Sequence, residues 1–388
     1  MHGVAETVAT ATLLAGLVGT TGCGGGTPQP GSPLDGLTDD QRERFNLGRV
    51  VFNQAFTPAT GLGPLFNNVS CASCHNDPVP GGNGSFLQLN ASVLKPDGFC
   101  DPLADKGGPV YQLAVTPALK TALGIDAEPV PQGVPTARRT TPDMFGFGLL
   151  DAIPASTVLA LADPDDADGD GISGRVNRFF DGRIGKFGRK ALTPTLAEFN
   201  EGAFHFEQGL SVPAFLTEGT AGGQGIPPGV DPLPEPEVSA ELVAQTNAYV
   251  HTLAPAPPNS LDETARRGEQ IFASIGCAKC HIPTLRTGDY PIGRLANRVI
   301  ATYTDFLLHD MGPELADICQ GLVATPAEFR TEPLIGLRLA RRFLHDGRAS
   351  SIEQAVELHA GEAARSRDAF RALSESDRRA LISFLSTL

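Results

Sequence analysis

The 388 residues carry 44 acidic and 30 basic side chains, a formal net charge of −14, with 41% hydrophobic and only 19% charged residues. This acidic balance argues against nucleic acid as a partner, and the length allows two or three domains with real cores. Gly (44) and Pro (32) together make about a fifth of the chain, which favours short helices on long, irregular connections.

At the N-terminus an apolar stretch, Val8 to Val18, is too short to span a membrane and fits the hydrophobic region of a secretory signal. Thr20-Thr21-Gly22-Cys23 looks like a lipoprotein cleavage box, which makes Cys23 a candidate lipid anchor to an outer membrane, although no Lys or Arg precedes Arg42. Gly24 to Pro33 reads as a flexible tether, so residues 1–35 are expected to be signal and tether.

The first helix carries Leu47-Gly48 and Phe52, and after an insertion leads to Cys71-Ala-Ser-Cys74-His75. C-x-x-C-H is the attachment signature of c-type haem. Two thiols at this spacing can add to the two vinyl groups of one porphyrin, and the following imidazole becomes an axial iron ligand. A zinc site would want a further pair of ligands close by, and a redox dithiol needs neither the His nor a second copy. The second copy is Cys277-Ala-Lys-Cys280-His281, again preceded by a Gly268 and Phe272 pair. Two covalent haem c groups are expected, with His75 and His281 as proximal ligands. Covalent haem attachment also implies export, since it takes place outside the bacterial cytoplasm. Of the remaining cysteines, Cys100 and Cys319 form either one disulfide or two separate buried thiols.

Between the motifs, Met144 follows His75 at a distance usual for a Met-ligated cytochrome c and is a candidate sixth ligand. Asp163 to Arg175 then alternates aspartates with a Gly at the sixth position. Asp166, Asp168 and Asp170, with the Ile172 carbonyl, offer hard oxygen ligands to Ca2+, while Asn177 at the twelfth position excludes an ordinary EF-hand. A helix from Ala240 to Leu253 matches the one that ends the chain at Leu388, and Ala254 to Asn259 reads as a linker. The expected fold is mainly α, with two tandem cytochrome c-like domains at 36–254 and 260–388. Long Gly/Pro-rich loops connect the elements, and a large insertion sits in the first domain.

In the second domain Met311, His345 and His359 are rival sixth ligands. Glu362, Asp310 and Glu332 are candidate bases for proton transfer beside an open haem iron. Arg348 or Arg330 is placed to stabilise charge developing on oxygen.

Several runs resemble the di-haem oxidoreductase family, which is related more distantly to bacterial di-haem cytochrome c peroxidases. They are Gly61–Cys71, Phe145–Ile153, Gly185–Ala191, Thr304–Gly312, Arg330–Gly336, Phe343–Arg348 and His359–Ala363, collinear over roughly residues 40–388. The resemblance implies a periplasmic, peroxidase-like two-haem protein. Its partners would be a small redox carrier, a cytochrome or cupredoxin steered by charge, and an oxidant such as peroxide. The family commonly carries tryptophans where this chain has Arg189 and Ile335, and the chain has no Trp, which excludes a Trp electron relay. The rival reading is a non-enzymatic carrier with both irons fully ligated.

Overall fold

The computed structural model describes residues 28–388. The expected signal stretch and Cys23 lie outside them. The end of the expected tether is docked: Leu34 N–H donates to Thr252 O at 2.8 Å, and Ala254 N–H donates to Ser32 O at 2.9 Å. Helix makes up 33% of the described residues, with some sheet. Among the described residues no helix is long and apolar enough to cross a membrane.

Six helices position the sites: α1 (Asp39–Asn53), α2 (Leu196–Gln208), α3 (Ala240–Thr252), α4 (Glu263–Ser274), α5 (Ile352–Leu358) and α6 (Glu375–Leu385). A capping box starts α1, with Thr38 Oγ1 accepting from Gln41 N–H and Gln41 Oε1 accepting from Thr38 N–H. Its buried residues Phe45, Gly48, Val51 and Phe52 recur at helical spacing, so one face turns inward. That face crosses α3 at Gly48, where a Cβ would lie 2.0 Å from Gln245 O. The same device joins α4 to α6, because a Cβ on Gly268 would lie 2.0 Å from Ala380 O. Each crossing is surrounded by aromatics, with ring centroids 5.0 Å apart for Phe52 and Tyr249 and 5.5 Å for Phe272 and Phe384.

Strands β1 (Gly84–Ala91), β2 (Val110–Tyr111) and β3 (Thr136–Thr141) form an antiparallel sheet in the order β2-β1-β3, with Leu89 opposite both Tyr111 and Arg138. A two-stranded pair, β4 (Leu308–Asp310) and β5 (Glu328–Arg330), sets His309 opposite Phe329. The largest apolar core joins Phe45, Phe52, Phe145 and Tyr249 to Phe306 and Leu307, so residues beyond the linker help close the core of the first part. A second core gathers Phe272, Phe370, Leu381 and Phe384.

Cys100 and Cys319 are disulfide-bonded, with their Cα atoms 5.8 Å apart across 219 residues of chain. Closing so long a loop removes entropy from the unfolded chain. Replacing both by serine is expected to cost ~2–4 kcal/mol of stability, read from the urea midpoint of the holoprotein. A midpoint unchanged within error would show that the link contributes nothing.

Candidate haem sites

Ser70 caps the turn Cys71–Cys74 through its Oγ, which accepts from Ser73 N–H at 3.0 Å. His75 follows, and its Nδ1 lies 2.9 Å from Pro142 O. A carbonyl can only accept, so Nδ1 carries the proton and Nε2 keeps its lone pair. Burial pushes the ring down to about 4, so it is neutral. The second motif repeats this arrangement. His281 Nδ1 donates to Tyr303 O at 2.9 Å, and burial again pushes the ring down to about 4. Phe52 and Phe272 stand beside the two imidazoles at centroid distances of 6.3 and 6.5 Å.

The four motif cysteines are half-buried free thiols. Cys71 is pushed up to about 11, and Cys74 and Cys277 to about 12, chiefly by burial. Such groups are poor thiolates, which disfavours both zinc and a redox dithiol. Among the described residues, Cys71, Cys74 and His75 belong to no group of three His, Cys or carboxylate side chains within ligating distance of one another. Beside the second motif opens a cavity whose wall includes Phe272, Leu334, Ile335, Phe343, Val356 and Leu381. Paired thiols, a neutral imidazole with a free Nε2 and an apolar wall fit a haem.

His359 faces the same cavity as His281. Its Nδ1 donates to Ala355 O at 2.7 Å, which leaves Nε2 unengaged, and its nearness makes His281 harder to protonate. His345 and Met311 also lie on the cavity wall. His345 stacks on Phe329 at 4.1 Å, and Lys190 Nζ covers the ring of Phe329 at 3.6 Å. Burial pushes His345 down to about 4. Met144 is only 8% exposed and belongs to the core with Phe52, Phe145 and Tyr249, two residues beyond the carbonyl that accepts from His75.

The candidate bases are otherwise engaged. Glu362 accepts from His309 Nδ1 at 2.8 Å and from Ser173 Oγ at 2.6 Å, and it is held down to about 2 against burial. Glu332 sits between Arg189 (2.9 Å) and Arg330 (2.6 Å) and is likewise held down to about 2. Asp310 is exposed and caps Gly312 N–H, and Arg348 pairs with Asp346 at 2.6 Å. Glu362, Asp310 and Arg348 are missing from the cavity lining, whereas Glu332 and Arg330 belong to it.

Two carboxyls that went unnoticed in the sequence have the opposite character. Glu207, near the end of α2, accepts from Asn67 Nδ2 at 2.9 Å and from Gln88 Nε2. Among the described residues it has no cationic partner, burial pushes it up to about 7, and its charge bears on Cys74. Around it, Asn68 Nδ2 donates to Cys74 Sγ at 3.1 Å and Gln208 Nε2 to Cys71 Sγ at 3.5 Å. Asp143 lines the second cavity and is pushed up to about 7 by burial and by the charge of Glu332. The one signal for Glu207 in the sequence is a carboxylate set within Phe204-His-Phe206 and the helix-ending Gly209.

In the acidic loop, Asp163, Asp166 and Asp168 converge, whereas Asp170 leaves the expected calcium set to pair with Lys279 at 2.7 Å. Lys279 lies inside the second C-x-x-C-H motif, so the loop is fastened to it.

Two histidine-ended cysteine turns, each beside a glycine-crossed helix pair, define a haem-binding oxidoreductase. A family model described as "Di-haem oxidoreductase, putative peroxidase" matches residues 127–388, and the chain belongs to that family. The match contains the second motif, and the first lies before it. Membership implies two haems per chain.

Solved structures also resemble the chain. Hydrazine synthase from Kuenenia stuttgartiensis is 15% identical with a TM-score of 0.42, covering 100% of both chains. The diheme peroxidase BthA from Burkholderia thailandensis is 17% identical with a TM-score of 0.43, covering 89% of this chain and 86% of its own. A MauG-like protein associated with microbial copper homeostasis is 15% identical with a TM-score of 0.38, covering 93% of each chain. No curated protein matches the chain significantly.

Proposed function

We propose that both haems are covalent, held by Cys71, Cys74 and His75 and by Cys277, Cys280 and His281, in two tandem cytochrome c-like units. A peroxide-type oxidant is reduced at the first, and the second passes electrons from an external carrier. The unequal surroundings of the two motifs carry this reading. His359 shares a cavity with His281 and offers a free Nε2, as a sixth ligand must. Beside the first motif there is instead a half-buried carboxyl, Glu207, held by two neutral side-chain amides and raised to about 7.

When bound, the haems supply the iron that takes up peroxide and the electrons that cleave it. The chain handles the protons. As a carboxylate, Glu207 accepts a proton from hydrogen peroxide, and as the acid it returns it to the oxygen that departs as water. Asn67 and Gln88 keep both carboxyl oxygens in place throughout. Pro142 and Tyr303 hold the two proximal imidazoles in the tautomer that points Nε2 at iron. The net change is two electrons and two protons per peroxide, giving two waters. The Cys100–Cys319 disulfide supports an exported setting, with Cys23 as a lipid anchor. The charge of −14 suits a small basic carrier protein.

EPR of the exported holoprotein tests the ligand assignment. His359→Gly is expected to turn one low-spin haem high-spin and leave the other signal unchanged. If the low-spin signal survives, Met311 or His345 is the ligand, and the assignment of His359 is wrong.

A further inference from the structure

His309, on β4, is 4% exposed and both its ring nitrogens face carboxylates: Nδ1 lies 2.8 Å from Glu362 Oε2, and Nε2 lies 2.9 Å from Asp305 Oδ2. Carboxylates only accept, so both nitrogens carry protons and the ring is an imidazolium. The ring stands 3.8 Å from Cys280 Sγ, one of the two sulfurs that would bear the second haem, and lines the cavity that receives it. Glu362 is fixed in turn by Ser173 N–H and Oγ–H and by Asp310 N–H. Asp305 follows Tyr303, whose carbonyl accepts from His281, by two residues. The first motif has a different neighbourhood, since both its sulfurs accept from neutral side-chain amides.

We infer that Asp305, His309 and Glu362 form a fixed buried charge array that sets the reduction potential of the second haem, with His309 as its positioning residue. The inference rests on the two-haem reading above. A cation beside the iron disfavours the ferric state and raises the potential, and an anion lowers it. Removing the imidazolium leaves two uncompensated carboxylates, whereas removing one carboxylate leaves a neutral pair. The two changes must therefore act in opposite directions. A role confined to packing has no reason to give opposite signs.

The test is a mediated spectroelectrochemical titration of the holoprotein, following the low-spin signal of the second haem. His309→Gln is expected to lower its ferrous-to-ferric ratio at a given applied potential at least tenfold, a shift of ~59 mV for one electron. Glu362→Gln is expected to raise it. Shifts of the same sign, or none, in variants that keep both haems would overturn the inference. If His309→Gln does not load its second haem, Glu362→Gln decides alone, with an upward shift supporting the idea and any other result rejecting it. The two-haem reading fails separately, by a haem content of one per chain in the wild-type protein.

Discussion

Glu207→Gln is expected to slow peroxide reduction by about 10²- to 10⁴-fold, the usual range for loss of a general acid–base group, with both haems still bound. Glutamine keeps the shape and one acceptor oxygen for Asn67 and Gln88 but cannot exchange a proton. The pH profile supplies a second readout. Burial raises this carboxyl to about 7, so its proton-accepting form grows as pH climbs through neutrality and is lost on acidification. Wild-type kcat/KM should therefore rise across that range and level off above it, and the variant should lose that limb. A variant within a few-fold of wild type, with the limb intact, would move the proton chemistry elsewhere. Asp143, also raised to about 7, is the next group to replace.

Gly268→Ala should destabilise the protein by at least ~1–3 kcal/mol, the cost of overpacking, although alanine favours an open helix over glycine by ~1 kcal/mol. The reversed sign is the point of the experiment. The added Cβ would sit 2.0 Å from Ala380 O and 2.8 Å from Phe384 Cβ, so backbone as well as side chain must move. Phe384 packs on Phe272, which stands beside His281, so loss of the second haem should accompany the loss of stability. Urea denaturation with the haem absorbance as probe reads both. A more stable variant would mean that α4 and α6 do not cross at this glycine.

The legible parts of this chain were those where covalent chemistry or close backbone approach confines the residue choice locally. C-x-x-C-H is readable because covalent haem attachment requires that spacing. Gly268 with Phe272 is readable because one helix turn places the small residue against a neighbour and the ring beside the imidazole. Glu362, Asp310 and Arg348 show the limit of local reading. Their density of polar groups suggested catalysis, but nothing local reveals that Ser173, 189 residues away, engages Glu362, or that Arg348 pairs with its neighbour Asp346. Glu207 was overlooked because its character comes wholly from burial against β1 and the turn before Cys71. The run of aspartates announced a loop correctly, yet which of them converge depends on Lys279 drawing Asp170 away.

Pro142 belongs to both sites at once. Its carbonyl accepts the proton of His75 Nδ1, and the residue itself is part of the wall of the cavity that opens at His281. The strut of one imidazole is thus the partition of the other compartment, with no layer of protein between the two duties. Any shift of Pro142 that accompanied filling of the second cavity would therefore be carried directly to the imidazole of His75.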